Sequence, residues 1–442
     1  MMCFMLKIYM GLGLCAVFVH GDYDHDILNT MERFAREGYW FNSLFQPTGA
    51  TPLGSGKGAL VFPALNMIDF SDVAMKFSNK VDETNREYRM YSYLKAIEYG
   101  DKKSDVEQYG ISPIYYFNLL QKYKYITVLS LFECNLIQMK SKLKERKMEF
   151  EPIDYLILFR DFVRQIKYVH SCGIRHNSIC PTNIMLRKGR SFLIDFRMGS
   201  KINFHFSGAI LNYASRRNHQ KLKGDPFDDW ESFLYTMAYI LDIKLTWFAK
   251  TDGRNAGEME ISGKEIGNLK RDTTDTIEKI KEHFKQLEGN PELSDRKKHG
   301  FKQLKVVMLE FANEAFANEK LRKNVKFPDY DKFETLITGK IDIVKEPKNE
   351  PALFSWLKEK QREEAIDDLD KNKPATAKQI ELPKKKIFEE KDYAEVDPQF
   401  FRNRSDEMIE AAKEHVRASN DPRAKEARAL LERCSQESKR NN

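Results

Sequence analysis

The sequence predicts an α+β protein: a β-rich region, then an α-helical region, then a charged helical tail. Three observations predict it. Short β-like runs lie between residues 60 and 131. After Asn135 the apolar residues recur at helical spacing. Beyond Lys345 the stretch KNKPATAKQIELPKKKIFEEKD has proline, dense charge and little periodicity, which reads as a linker. The chain has 442 residues, 41% of them hydrophobic and 12% aromatic, enough for a sizeable core.

At the N-terminus, Lys7 precedes an apolar run from Ile8 to Val19, and Val19-His20-Gly21 offers a cleavage site before Asp22. This pattern fits a signal peptide over 1–21, too short for a comfortable membrane span, and it places the mature chain in the secretory pathway or outside the cell. The competing reading is a buried N-terminal helix. No other run is long enough to cross a bilayer. Residues 22–45 form a helical extension, with Ile27, Met31 and Phe34 on one side and Gly38 near its end.

Strands are expected around Leu60–Pro63, Val73–Phe77, Ile114–Phe117 and Tyr125–Leu131, interrupted by a helix over Glu83–Leu94. Pro152 opens a long buried helix marked by Leu156, Phe159, Val163, Ile166 and Val169. A strand, a turn at Lys188-Gly189-Arg190 and a second strand follow, at Ile184–Leu186 and Phe192–Ile194. Further helices run to about Gly339, so one domain spans 46–339, the linker 340–404 and the helical tail 405–442. In the tail, Ser405 and Asp421-Pro422 have the features of helix starts.

Net charge is +7, modest for this length, and Lys and Arg alternate with Asp and Glu. No nucleic-acid surface is expected. With Cys3 and Cys15 in the leader, Cys134, Cys172, Cys180 and Cys434 remain, too few for a disulfide scaffold and without zinc-site spacing. Cys172 and Cys180 read as two buried thiols, with a local disulfide as the alternative. Asn403-Arg404-Ser405 is a glycosylation sequon.

The chemistry is concentrated in four places. Leu53-Gly54-Ser55-Gly56-Lys57-Gly58-Ala59-Leu60-Val61 falls at a strand turn, where glycines let the backbone approach phosphates. Val73-Ala74-Met75-Lys76 follows on a strand. Lys76 alone would be a solvated lysine, but Glu87 shares a helix face with Met90 and Leu94 and can point inward to meet it; Glu83, one turn earlier, is the competing partner. Then come His176-Asn177-Ser178, four residues, Asn183, a hairpin, and Asp195-Phe196-Arg197.

These motifs resemble the protein kinase superfamily, where H-R-D-x-x-x-x-N and D-F-G occupy the last two places. The casein kinase 1 branch is most similar. Glu87-Tyr88-Arg89-Met90-Tyr91 resembles its E-S-K-I-Y helix, and Tyr213-Ala214-Ser215 with Asp228-Asp229-Trp230-Glu231-Ser232 resembles its Y-A-S…D-D-L-E-S signature. Phe327-Pro328-Asp329-Tyr330 resembles its closing x-P-D-Y. The resemblance runs from about Leu53 to Gly339 and implies a two-lobed kinase fold. It implies an ATP site built from Leu53, Gly54, Ser55, Gly56, Lys57, Gly58 and Val61 on the glycine turn. Ala74, Lys76 and Glu87 complete the phosphate clamp, and Asn183 and Asp195 would ligate Mg²⁺. Asp229 would brace the catalytic loop.

Four departures bear on chemistry. Ser178 stands at the base position, and a serine hydroxyl is not basic near neutral pH; losing a positioned base costs about 10²–10⁴-fold. Cys180 stands where a lysine would meet the γ-phosphate, and a neutral thiol supplies no charge. Asn177 replaces the arginine that pairs with a phosphorylated activation loop. Arg197 replaces the flexible glycine and has two readings: it binds nucleotide phosphate, or it pairs with Asp195 or Glu87 and blocks the metal. The sequence therefore reads as a secretory-pathway pseudokinase that binds ATP and Mg²⁺ weakly and acts through an unidentified protein partner. The alternatives are a slow Ser/Thr kinase and a nucleotide-free interaction module.

Overall fold

The computed structural model describes residues 45–49, 51–56, 59–66, 71–98, 104–121, 124–204, 212–248, 263–316 and 327–345. The expected leader at 1–21, the extension at 22–45 apart from Phe45, the linker beyond Lys345 and the tail at 405–442 lie outside the described residues, as do Lys57 and Gly58.

Six strands form one antiparallel sheet: β1 (Phe45–Pro47), β2 (Gly54–Gly56), β3 (Ala59–Asn66), β4 (Asp72–Ser78), β5 (Ile114–Gln121) and β6 (Lys124–Ser130). Their order is β1-β3-β4-β6-β5, with β2 also paired to β3. Phe45, expected at the end of a helix, instead opens β1 opposite Asn66. Alternation decides which face is which. On β3 and β4, Leu60, Phe62, Val73, Met75 and Phe77 are buried, while Val61, Ala74 and Lys76 occupy the other face, half-buried. Helix α1 (Val81–Tyr93) packs on the sheet through Tyr88, which stacks on Phe117 at 4.3 Å.

The chain then turns helical: α2 (Leu136–Glu145), α3 (Pro152–Ser171), α4 (Arg216–His219), α5 (Pro226–Ile240), α6 (Gly263–Leu269), α7 (Thr273–Gly289), α8 (Asp295–Ala315) and α9 (Tyr330–Val344). Pro152 sits in the first turn of α3 as expected, inside a capping box between Glu151 and Asp154. Helix α5 starts the same way, with Asp225 capping and Pro226 following. The core here is aromatic. Phe162 stacks on Phe233 at 3.6 Å and Trp230 on Phe311 at 4.0 Å, joining α3, α5 and α8. Helix α9 runs through Gly339 to Val344, because the buried Ile337 and Ile341 on either side hold it to the core.

Short strands lie just before α2 and between α3 and α4. β7 (Cys134–Asn135), β9 (Ile184–Arg187) and β10 (Arg190–Leu193) form one small sheet; β8 (Ile174–Arg175) pairs with β11 (Ser200–Lys201). The β9–β10 turn is the two residues Lys188 and Gly189, at φ 50° and 71°. Two positive φ values match the right-handed strand twist, which is why glycine suits this turn. Arg190 already belongs to the second strand. The molecule is thus α+β, sheet-rich first and helical afterwards, an arrangement compatible with a protein kinase fold.

Among the described residues no helix is long and apolar enough to cross a membrane. Cys134, Cys172 and Cys180 are free thiols, so the alternative of a Cys172–Cys180 disulfide does not hold in this structure.

Candidate functional site

Strand register builds the first wall. Gly54 pairs with Val61, and Val61 with Lys76, so three adjacent strands place these residues in one row. Ala74 lies two residues along on the same face. Ser55 and Gly56 pair with Leu60 and Ala59 beside the turn, and Leu53, whose N–H donates to Val61 O at 2.8 Å, is exposed.

Lys76 Nζ reaches Glu87 Oε2 at 2.6 Å and Oε1 at 2.9 Å. Glu87, not Glu83, is therefore its partner; Glu83 pairs with Lys80 at 3.1 Å. Helical spacing explains the choice, since Glu87 lies on the buried face with Met90 and Tyr91. Burial pushes the Glu87 carboxyl above its usual range, Lys76 opposes this, and Asp195 adds to the rise.

The second wall is the loop from His176 to Asn183. Asp229, buried on α5, accepts from His176 N at 2.8 Å and Asn177 N at 2.7 Å, and meets His170 Nε2 at 3.0 Å. Burial works against its ionisation, but the His170 hydrogen bond and nearby positive charge prevail and hold the carboxyl low. These contacts fix Asn177 at φ 63°, a left-handed conformation that asparagine tolerates. Burial lowers His176. Its neutral ring donates from Nε2 to Ile194 O at 2.9 Å, a tautomer inferred from the carbonyl partner, which leaves Nδ1 as acceptor. Ser178 Oγ lies 3.2 Å from that nitrogen and 3.3 Å from Asp195 O. Its proton is thus committed to an acceptor, consistent with a side chain that takes no proton itself.

Asn183 donates its amide to Ser178 O at 2.9 Å, and its own carbonyl accepts from Ile194 N at 3.0 Å. Asn183, Ser178 and Asp195 are therefore held together. Cys180 is buried, 3.1 Å from Thr182 Oγ1. Burial pushes its thiol up to about 11, so it carries no charge at neutral pH.

Asp195 has φ 68° and opens the turn Phe196–Met198. Phe196 is buried between His176, 4.5 Å away, and Tyr91, 5.2 Å away, which joins this turn to α1. Arg197 folds back on Asp195: Nε donates to Oδ1 at 2.6 Å and Nη2 to Oδ2 at 2.7 Å. Nη1 lies 3.4 Å from Glu83 Oε2. Burial would raise the Asp195 carboxyl, but Lys76 and Arg197 outweigh it and hold it well below the usual range. The two readings of Arg197 resolve toward pairing with Asp195, with Glu83 rather than Glu87 as the second acid. Both carboxylate oxygens that Mg²⁺ would use are taken by the guanidinium, so this arrangement does not fit the expected ion. Among the described residues no three His, Cys, Asp or Glu side chains cluster to hold a metal.

One anchor escaped the sequence reading. Arg175, fully buried, donates to Asp228 Oδ2 at 3.0 Å, Ser200 Oγ at 3.1 Å and Phe204 O at 3.3 Å. Ser215 donates to the other Asp228 oxygen at 2.7 Å. The available signal was a basic residue one place before His176, where H-N-S stands in place of H-R-D.

The chain matches no protein-family model. It is similar to the dual specificity protein kinase TTK of Mus musculus, 25% identical over an alignment of 210 residues that covers 42% of this chain. The match spans 23% of that kinase's length. The chain is kinase-like.

Proposed function

We propose that this protein is a pseudokinase of the casein kinase 1-like branch that binds ATP weakly and acts by engaging a protein partner in the secretory pathway. The observation that carries the reading is a split between two halves of one site. Lys76 is locked on Glu87 beside the glycine turn and Asp229 holds the loop, which supports a phosphate clamp. The two positions that act on the transferring group are neutral: Ser178 donates its proton to an acceptor and Cys180 is a buried thiol. A clamp without base or γ-phosphate charge favours binding over transfer.

Thermal melting of the full-length chain with and without ATP tests this, each with Mg²⁺, with Mn²⁺ and with neither. Ligand at a hundred times Kd should stabilise by about 2.7 kcal/mol. No shift at millimolar ATP in any condition refutes nucleotide binding and leaves the interaction module. Robust phosphoryl transfer by the wild type, abolished by Lys76→Ala, refutes the pseudokinase reading in favour of a slow Ser/Thr kinase.

A further inference from the structure

We infer that Arg197 takes the place of the divalent cation at Asp195, so that the site accepts a nucleoside triphosphate without a metal ion. The inference rests on the nucleotide-binding reading and deepens it.

The geometry is that of a substitution. Mg²⁺ binds through carboxylate lone pairs at about 2.0–2.1 Å and tolerates little distortion. Here each Asp195 oxygen already accepts a guanidinium N–H, at 2.6 and 2.7 Å, in the bidentate form that makes Arg–carboxylate pairs strong. The two residues are separated by one position, so the pair reforms readily whenever it opens. The Glu83 contact at 3.4 Å restrains the far side of the guanidinium. An entering cation would have to displace this group and then sit beside its charge.

The charge balance points the same way. Among the described residues, the ion-paired side chains linked around Asp195 are Lys76, Lys80 and Arg197 with Glu83, Glu87 and Asp195, three formal charges of each sign. With glycine at 197, Asp195 would keep only the nearby Lys76 charge, and its repulsion of a polyphosphate would favour a cation between them. Arg197 removes that preference. Guanidinium has five N–H donors, and the contacts to Asp195 and Glu83 use three. One N–H on each terminal nitrogen remains for a phosphate oxygen.

The test is calorimetric titration of ATP into the full-length chain, in EDTA and in Mg²⁺, for wild type and Arg197→Gly, with Arg197→Gln as a second variant should glycine unfold the turn. Wild-type affinity should be the same in both buffers, within about threefold. Arg197→Gly should lose about tenfold or more in EDTA and regain it with Mg²⁺. Wild-type binding that requires Mg²⁺ overturns this inference and leaves nucleotide binding standing. Variants as metal-independent as the wild type also overturn it. No wild-type binding in either buffer sinks both this inference and the reading beneath it.

Discussion

Gly224→Ala tests how the loop beside the candidate site is held. A Cβ at Gly224 would lie 1.8 Å from Arg175 Cζ and Nη1 and 1.9 Å from Nη2. The φ of Gly224 is outside the left-handed region, so the conflict is purely one of space. A guanidinium at a flexible tip can often swing aside, but this one is fully buried and its charge is balanced by Asp228 at 3.0 Å. Displacing it strands two interior charges. Breaking a buried pair costs about 3–5 kcal/mol. Replacing glycine at a compatible φ returns about 0.4–1 kcal/mol through the unfolded chain. The net loss is about 2–4.6 kcal/mol, or a fall in melting temperature of roughly 4–18 °C at about 2–4 °C per kcal/mol.

The assay is a double-mutant cycle by calorimetric or circular-dichroism melting of wild type, Gly224→Ala, Arg175→Ala and the double variant. If the Arg175 head is the cause, the new methyl enters the space that Arg175→Ala leaves, and Gly224→Ala then costs almost nothing. The coupling energy should be about 3 kcal/mol. Gly224→Ala melting with the wild type, or two strictly additive losses, would refute the argument.

Three other predictions follow from the site and the N-terminus. Ser178→Asp with Cys180→Lys and Arg197→Gly should recover autophosphorylation measurable by phosphate incorporation, whereas the double variant that keeps Arg197 should recover less, because Asp195 stays covered; equal activity of the two would contradict the occlusion. Asp195 is held below its unfolded value, so its contribution to stability is present above about pH 4 and is lost as pH falls through the depressed value. The acid limb of melting temperature against pH should therefore fall more steeply in the wild type than in Asp195→Asn, and superimposable limbs would show that the ion pair contributes nothing. Protein from its native source should begin at Asp22 when its N-terminus is sequenced; Met1 retained in a cytosolic fraction would end the secretory assignment.

What the sequence revealed depended on how far apart the interacting residues lie. Strands β3 to β6 were legible because alternating apolar residues mark a half-buried sheet, and the Lys76–Glu87 pair because the helical period aims Glu87 inward with Met90 and Leu94. β1 was not, since its three residues, Phe45–Pro47, are too few to show a period and adjoin a helical pattern. The Arg197–Asp195 pair was legible only as one of two alternatives, because the conformation of a long side chain is not written in spacing. Arg175 was missed for a different reason. A lone arginine reads as solvated, and its buried partner Asp228 is 53 residues away.

The departures from kinase chemistry form a connected set. A polar side chain that drifts into a buried site without partners costs about 1–3 kcal/mol for each unsatisfied group. Here the replacements are mostly partnered. Asn177 donates to Met198 O and Ser200 Oγ, both at 2.9 Å, although its Oδ1 finds no partner. Ser178 meets His176, and Arg197 closes on Asp195. Arg175 adds a buried ion pair to Asp228 and two further bonds to Ser200 and Phe204. The segment from Met198 to Phe204 is thereby tied to the loop by groups already within the fold. Nothing in these contacts waits for a phosphate, because Asp228 already accepts from Arg175 and Asp195 from Arg197. The same ties hold Asn183 and Ser178 beside Asp195. On the proposed reading, this fixed arrangement of Ser178, Asn183 and Asp195 suits a partner-binding protein, which needs a constant shape, better than a regulated transferase.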